Sequence, residues 1–352
     1  MKNQPYHSFW QRIHNAARHE GFPLRVMFEL TYRCNFGCRH CYVPKSYRKY
    51  KELNTNEVFS ILEQLADIGC FYLGFTGGEP FARRDFIDIL WYAKRLGFEV
   101  IIYTNGSLID EEIIDELADL RPNKIDVTIP AMSEASFERI TQMPGSYKKV
   151  FSAIDLLHRR GIKLGFKSCM LKDNENEIKD IQGFTARLDA LHRLDNILSP
   201  CLDGSKEPYR YRGESNLPEK TECQIKETYY QISPSNCLAL NSEDLFKCGV
   251  GVSQAAITPS GELKMCLMID YPKYKILESS LKDAWEKLKR LVGSIKPDEN
   301  YQCDRCELSP YCKWCPARSW LYNKSFTSCE LENQRRAELL RKNHERDPVQ
   351  KI

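Results

Sequence analysis

The apolar residues of the first two hundred positions fall into two periodic patterns that alternate along the chain. Apolar side chains that recur every three or four positions predict helices, and Asn54 and Glu57 have the spacing of a capping box before one of them. Short, continuous apolar runs predict buried strands between the helices. The predicted strands are 26–31, 71–75, 100–103, 125–129, 164–170 and one around 197–198, and the predicted helices are 58–68, one from 85, 110–120, 147–160 and 175–191.

Six strand-helix units in succession predict an α/β fold whose parallel strands are joined by right-handed crossovers. A closed TIM-type barrel has eight such units, so six predict a partial (β/α)6 TIM-type barrel with an open wall. Such an opening would admit a substrate larger than a metabolite. Active sites of these barrels lie at the carboxyl ends of the strands, where we therefore expect the functional side chains.

Charge and hydropathy argue against several classes of partner. The chain has 51 basic and 48 acidic residues, and a formal charge of +3 is too near balance to favour a nucleic-acid or acidic-membrane partner. No run of 18 apolar residues predicts a membrane span, and residues 1–5 lack the apolar core of a secretory signal. We therefore expect a cytoplasmic protein with no nucleic-acid or membrane partner.

Cysteine is unusually abundant for a cytoplasmic protein. Since cytosolic thiols are kept reduced, the 15 cysteines argue for metal ligation rather than for a disulfide scaffold. Three follow the first predicted strand, and eight lie between residues 237 and 329. Most of the remaining four are expected to be ordinary buried thiols: Cys70, Cys169, Cys201 and Cys223.

The first group, Cys34, Cys38 and Cys41, has the spacing C-x3-C-x2-C directly after the first strand. A 4Fe-4S cluster normally takes four thiolates, so three predict a cluster with one iron open to another ligand. The alternatives are three unrelated buried cysteines or a zinc site with His40 as the fourth ligand.

The residues around this triplet, from Thr31 to Tyr42, resemble the signature of radical S-adenosylmethionine (SAM) enzymes. The resemblance implies that the open iron chelates SAM and that reductive cleavage yields a 5′-deoxyadenosyl radical. The sequence Thr76-Gly77-Gly78-Glu79-Pro80 after the second strand resembles the family motif whose backbone and glutamate hold the methionyl amine. The resemblance thus implies catalytic cysteines and a SAM site with Tyr42, Gly77, Gly78 and Glu79.

Further SAM contacts are implied at the ends of the third, fourth and fifth strands. Thr104 and Asn105 stand where polar groups of the family face SAM. Asp126 and Thr128 lie two apart on a strand and so share a face, although Thr128-Ile129-Pro130 departs from the serine-leucine-aspartate of many relatives. By analogy, Lys167 and Ser168 are candidate ribose or carboxylate contacts, and simple strand residues are the alternative.

The late cysteines resemble the SPASM domain, which holds two auxiliary 4Fe-4S clusters in radical SAM enzymes. Pro-Ser-Gly at 259–261 predicts a hairpin turn between two apolar stretches of residues 255–266. The resemblance implies a first cluster on Cys248, Cys266 and Cys315, with Cys237 as candidate fourth ligand. It implies a second on Cys303, Cys306, Cys312 and Cys329. The last pair is C-x2-C where the family pattern has three intervening residues, and structural zinc is the alternative for this region.

The chain is thereby divided into five segments. These are an N-terminal extension with a short helix (1–24), the partial barrel (25–201), a linker with one short helix near 220–230 (202–236), the SPASM domain (237–330) and a charged C-terminal helix (331–352). A further surface helix is predicted over 281–292.

The resemblance implies hydrogen abstraction from a substrate carbon, with the electron supplied by a low-potential donor such as flavodoxin or ferredoxin. Peptide or protein modification is the first hypothesis. A small-molecule dehydrogenase or tetrapyrrole-modifying enzyme is the second, and a non-catalytic iron-sulfur electron carrier is the third. Sulfatase maturases carry an acidic residue directly after the auxiliary-cluster cysteine that corresponds to Cys266. Here that residue is Leu267, which weakens the interpretation as a sulfatase maturase. About two dozen residues precede the first strand, too few for a leader-binding domain, so a peptide enzyme would need a separate recognition protein or bind substrate through the barrel alone.

Overall fold

A single nine-stranded sheet organises the molecule, in a computed structural model that describes residues 6–195, 197–213, 245, 246 and 248–346. Its first six strands are all parallel and stand in chain order, each beside the next. They are β1 (Arg25–Thr31), β2 (Tyr72–Gly77), β3 (Glu99–Thr104), β4 (Lys124–Thr128), β5 (Leu164–Cys169) and β6 (Leu191–Asp195). The predicted α/β fold with a partial (β/α)6 barrel is confirmed.

Helices connect these strands and cover one face of the sheet. They are α2 (Thr55–Asp67), α3 (Phe86–Arg95), α4 (Glu111–Leu120), α5 (Glu134–Thr141), α6 (Ser146–Arg159) and α7 (Ile178–Arg187). Helix α1 (Tyr6–Glu20) precedes β1, and its Ala17 packs with Leu24 and Tyr72 in a separate small cluster. The predicted capping box is present at α2, where the Asn54 side chain accepts from the Glu57 amide and the Glu57 carboxylate accepts from the Asn54 amide. The local sequence therefore sets where this helix begins.

Residues of β1 alternate between two environments. Val26 and Phe28 are fully buried in the main hydrophobic core, together with Ile61 and Leu65 of α2. Met27 and Glu29 lie on the opposite face of the strand, toward the barrel lumen, because side chains of a strand alternate between its faces. The lumen carries several charged groups, whereas the helix-covered face is apolar.

Two predicted boundaries are wrong. The sixth strand is Leu191–Asp195 rather than around 197–198, and the preceding helix ends at Arg187 rather than at residue 191. This strand forms one edge of the sheet, so it does not need the continuous apolar run of a central strand. The short helix α5 was not predicted. It begins after Ser133, whose hydroxyl accepts from the Ser136 amide.

The C-terminal part extends the same sheet beyond β1. Strand β7 (Gln254–Ile257) is parallel to β1, and β8 (Glu262–Lys264) and β9 (Tyr274–Lys275) follow in antiparallel order. The predicted hairpin is thus confirmed, but the sequence did not predict that it pairs with the barrel. Helices α8 (Leu281–Ser294), α9 (Pro316–Asn323) and α10 (Leu331–Arg346) complete this part.

Three helices are predicted after the barrel, near 220–230, over 281–292 and in the C-terminal tail. The predicted helix near 220–230 lies outside the described residues. No helix in the described ranges is long and apolar enough to cross a membrane. The predicted surface helix at 281–292 and the charged tail helix correspond to α8 and α10.

Candidate active site at the cysteine loop

The triplet lies in a loop that leaves the carboxyl end of β1 and is fixed from two sides. The Arg48 guanidinium donates to the carbonyl oxygens of Cys34, at 3.2 Å, and Phe36, at 2.6 Å. On the other side, the Gly37 amide donates to the Thr141 carbonyl oxygen at 2.9 Å. The loop backbone is therefore held without any ligand.

The three thiols of this loop are close enough to affect one another. Burial raises the pKa of Cys34 to about 11, with a smaller contribution from Cys41. Burial also raises the pKa of Cys38 well above its ordinary value, and the charges of Cys41 and Cys34 raise it further. The pKa of Cys41 is likewise raised by burial. Thiols in this setting stay protonated unless a cationic group draws off the protons.

The Gly77-Gly78-Glu79 turn lies directly against the loop. The Gly78 amide donates to the Thr31 carbonyl oxygen at 2.6 Å, and the Glu79 amide donates to that of Arg33 at 2.9 Å. A Cβ on Gly78 would stand 2.2 Å from the Arg33 carbonyl oxygen, and Gly77 has a φ of +134°. Both positions therefore require glycine, one for close approach and the other for its backbone conformation.

Glu79 is fully buried beside the loop and is held by three donors. Its carboxylate accepts from the Thr104 hydroxyl at 2.7 Å, the Asn105 amide at 2.7 Å and the Phe81 amide at 3.2 Å. Burial raises its pKa to about 7 although these hydrogen bonds act in the opposite direction. A carboxylate so deeply buried is a suitable partner for a ligand ammonium group, which would restore its charge.

Asn105 connects this carboxylate to the cysteine loop. Its side-chain amide donates to Asn35 Oδ1 at 2.9 Å and lies 3.8 Å from the Cys34 sulfur. Ser107 closes the network, because it donates to Asn105 Oδ1 at 2.7 Å and accepts from Asn35 at 2.8 Å. The ends of β2 and β3 and the loop after β1 thus form one hydrogen-bonded unit.

The structure places Asp126, Thr128 and Lys167 together on the lumen side. Thr128 is the register partner of Lys167 on the neighbouring strand. Asp126 pairs with Lys124 at 2.8 Å. The Lys167 ammonium lies 5.6 Å from the centre of the Tyr103 ring. Of these three residues, Lys167 lies near the cysteine loop, because its charge acts on the pKa of both His40 and Cys41.

Ser168 is not brought to this group. It lies on the opposite face of β5, where its buried hydroxyl donates to the Ile129 carbonyl oxygen and is 3.0 Å from His192 Nε2. Alternation along a strand separates Ser168 from Lys167, its neighbour in sequence.

Cys266, a predicted ligand of a first auxiliary cluster, has Cys248 and Cys315 as electrostatic neighbours. Burial raises the pKa of Cys266 above its ordinary value, and the neighbouring charges of Cys315 and Cys248 raise it further. Cys237, the candidate fourth ligand, lies outside the described residues.

Cys303, of the predicted second group, likewise has Cys306, Cys312 and Cys329 as electrostatic neighbours. Burial raises the pKa of Cys303 to about 11, with further contributions from Cys312, Cys329 and Cys306. Cys306 and Cys329 are exposed, so this group lies near the surface. Of the cysteines left unassigned, Cys70 and Cys201 are buried, Cys169 is half-buried and Cys223 lies outside the described residues.

A buried ion pair joins the cysteine loop to the C-terminal hairpin. The Lys264 ammonium lies 2.8 Å from the Glu29 carboxylate, and neither side chain has any exposed area. The same carboxylate accepts from the hydroxyls of Tyr32 and Tyr42, each at 3.1 Å. Tyr42 directly follows Cys41, and Lys264 stands two residues before Cys266. Glu29 thus contacts both cysteine-bearing segments.

Sequence reasoning assigned Tyr42 to the site but missed Glu29, Arg48 and Lys264. Glu29 carries a signal that could have found it, because a charged residue within the apolar run 26–31 requires a partner when the strand is buried. Arg48 and Lys264 carry no comparable local signal.

The donor set fits an iron-sulfur group. Thiolates are the ligands that such clusters take, and each set of cysteines is collected from neighbouring segments. No three His, Cys, Asp or Glu side chains in the described ranges close around a single metal ion, and a four-iron cluster is a larger body than one ion. A parallel barrel with a three-thiol loop after its first strand, and a buried carboxylate beside it, is compatible with an iron-sulfur enzyme.

Comparison with known proteins identifies the family. Residues 28–184 match the model of the radical SAM superfamily. A PqqA peptide cyclase of Rhizobium meliloti is 31% identical over 266 residues, which cover 69% of this chain and 67% of that protein. An AdoMet-dependent heme synthase of Methanosarcina barkeri is 24% identical over 324 residues, covering 85% and 92%. The chain belongs to the radical SAM superfamily, as predicted.

A solved structure supports the same architecture. Streptococcus suis SuiB bound to S-adenosylmethionine has a TM-score of 0.63 and 15% sequence identity, and the match covers 93% of this chain and 80% of SuiB. The likeness confirms the fold. As a radical SAM enzyme, the chain uses SAM and a 4Fe-4S cluster.

Proposed function

We propose that this chain is a SPASM-type radical SAM enzyme that modifies a peptide or protein, with Cys34, Cys38 and Cys41 holding the SAM-cleaving cluster. When bound, that cluster and SAM supply one-electron cleavage to methionine and a 5′-deoxyadenosyl radical. The observation that carries the proposal is the Glu29 carboxylate, which contacts Tyr42 beside Cys41 and Lys264 beside Cys266. These contacts support a placement of the Cys41 and Cys266 segments close to each other.

The residues around the loop have distinct roles in this proposal. Gly77 and Gly78 let the backbone reach SAM, and Glu79 accepts from its ammonium group while Thr104 and Asn105 orient that carboxylate. Asp126, Thr128 and Lys167 line the lumen, where they orient the ribose, the SAM carboxylate or the substrate. Ser168 supports strand packing instead.

Two auxiliary clusters would take the electron that remains on the substrate after hydrogen abstraction. The first is assigned to Cys248, Cys266 and Cys315 with Cys237, and the second to Cys303, Cys306, Cys312 and Cys329.

The proposed bounds of the barrel (25–201) and of the SPASM domain (237–330) are set by the positions of the cysteines. Strands β7 and β8 of the second segment share a sheet with the barrel.

A peptide substrate is supported by two observations. The relative that is 31% identical is a peptide cyclase. In addition, β6 is an edge strand of the sheet within the described residues, which do not close the wall around the lumen. The partners in this proposal are a flavodoxin or ferredoxin, the peptide and a separate leader-recognition protein.

A tetrapyrrole substrate is the second candidate, because the matched heme synthase is covered over 92% of its length. Incubation of the holoenzyme with SAM, reductant and either an aromatic-rich peptide or an iron porphyrin separates the two. Peptide-dependent 5′-deoxyadenosine and a mass change in the peptide support the first candidate, whereas turnover of the porphyrin alone overturns it.

Iron counting tests the auxiliary clusters. After anaerobic reconstitution, about twelve irons per chain are expected, and about four fewer in a Cys303→Ala/Cys306→Ala variant. About four irons together with tightly held zinc would contradict the SPASM assignment.

A further inference from the structure

A short basic segment lies on the surface immediately after the cysteine loop. The 3-10 helix Lys45–Lys49 and the two residues after it expose three lysines: Lys45, Lys49 and Lys51. We call these lysines and Tyr50 the basic face. No carboxylate among the described residues forms an ion pair with these lysines, so their charge is directed to solvent.

The basic face is attached to the loop that carries the thiols. Arg48 belongs to the same 3-10 helix, and its guanidinium donates to the carbonyl oxygens of Cys34 and Phe36. Arg48 therefore links the segment that carries the basic face to the backbone of the first cysteine.

Aromatic packing makes the basic face rigid. Tyr50 is 43% exposed, and its ring stacks on Tyr47 with 4.4 Å between centroids. Tyr47 packs against the buried Tyr32 at 5.6 Å, and the Tyr32 hydroxyl donates to Glu29. An exposed tyrosine that is held by packing loses little conformational entropy when a partner covers it, which is typical of interface centres.

The neighbouring carboxylates pair with other cations. Asp270, which accepts from the Tyr47 hydroxyl at 3.2 Å, pairs with Lys273 at 2.8 Å. Glu52 pairs with Arg33 at 2.9 Å, and Asp85 pairs with Arg83 at 2.7 Å. A cleft of about 480 Å³ between them is also lined by the exposed Arg84. The three lysines and Arg84 therefore leave an excess of positive charge on this surface after the ion pairs are counted. The total charge of the chain, by contrast, is near balance.

We propose that an acidic one-electron carrier protein docks on the basic face and delivers the electron that reduces the cluster held by Cys34, Cys38 and Cys41. The partner is chosen by charge complementarity and by the position of the face over the cysteine loop. One electron leaves the reduced carrier, which is oxidised, and enters the cluster. This inference rests on the proposed function, because it requires a cluster that is reduced before SAM is cleaved.

The test compares the reconstituted wild-type holoenzyme with a Lys45→Glu/Lys49→Glu/Lys51→Glu variant. The probe is an acidic flavodoxin in its hydroquinone form. The variant is expected to bind flavodoxin at least about tenfold more weakly at low salt and to be reduced by it at least about tenfold more slowly. Wild-type binding should also weaken as ionic strength rises. Reduction by photoreduced deazaflavin, a small reductant, should stay within about twofold of wild type, because no protein docking is involved.

A matched control reverses the same number of charges on α8, at the exposed Lys282, Lys287 and Arg290. This variant should bind and accept electrons like wild type. Equal losses in both variants, or wild-type binding and reduction in the Lys45/Lys49/Lys51 variant, would overturn the docking site. Loss of peptide turnover with deazaflavin while flavodoxin reduction is unchanged would assign the face to the substrate instead. SAM cleavage by wild type with deazaflavin reports the proposed function separately from docking.

Discussion

At the scale of single residues, the site depends on how closely two backbone segments approach. Gly78 and Arg33 are in contact through their main chains, and no side-chain movement can make room for a Cβ between them. The loop that carries Cys34 and the turn that carries Glu79 are therefore positioned by the absence of a side chain. Asn105 then fixes the same two segments through hydrogen bonds.

Gly78→Ala should displace the turn from the cysteine loop. We expect a loss of about 1–3 kcal/mol in the free energy of unfolding, as for overpacked cores, and at least about tenfold weaker SAM binding. Chemical denaturation and equilibrium dialysis of the reconstituted protein measure the two effects. Gly293→Ala is the control, because nothing lies within 4 Å of the position where its Cβ would be. Wild-type SAM affinity in Gly78→Ala would contradict the assigned role of the turn.

At the scale of elements, the ion pair between Glu29 of β1 and Lys264 of β8 joins the barrel to the hairpin. Both side chains are fully buried, so neither charge is solvated if the other is removed. Lys264→Met should therefore lower the free energy of unfolding by about 3–5 kcal/mol. The Glu29→Gln/Lys264→Met double variant should recover most of this loss, because a neutral side chain remains beside the two tyrosines. Urea unfolding of all three proteins measures the difference.

Lys275→Met is the control for this experiment. Lys275 lies on β9 and pairs with Glu278 at 2.6 Å in an exposed setting, so its replacement should change stability little. Equal losses in the single and the double variant would show that packing, rather than the unpaired charge of Glu29, accounts for the effect.

Elements with strong local signals could be predicted from sequence. The β1–β5 strands have apolar runs, and the start of α2 is set by Asn54 and Glu57. The edge strand β6 was misplaced because its half-exposed sequence lacks such a run. The pairing of β7 with β1 was not predictable from local pattern, because it joins strands more than two hundred residues apart. Lys264 was missed for the same reason, since its partner Glu29 is distant in sequence.

At the scale of the whole molecule, one sheet carries the cysteine loop at the end of β1 and the hairpin that leads to Cys266. The cysteine spacing and the Gly-Gly-Glu motif were sufficient to predict the family, and they place the proposed site at the carboxyl ends of β1 and β2. The partners of the cysteine loop, such as Arg48 and Asn35, needed the fold to bring them together. In our proposals, the substrate approaches from the side of the barrel that the described residues leave open, and the electron donor approaches at the basic face.

SAM-dependent formation of 5′-deoxyadenosine tests the central claim most directly. The reconstituted wild-type protein, supplied with SAM and a small low-potential reductant, should release 5′-deoxyadenosine and methionine. Cys38→Ala removes one of the three thiolates and should abolish this release, whereas Cys70→Ala, at a buried cysteine outside the cysteine groups, should retain it. Unchanged SAM cleavage in Cys38→Ala would contradict the assignment of the cysteine loop as the catalytic centre.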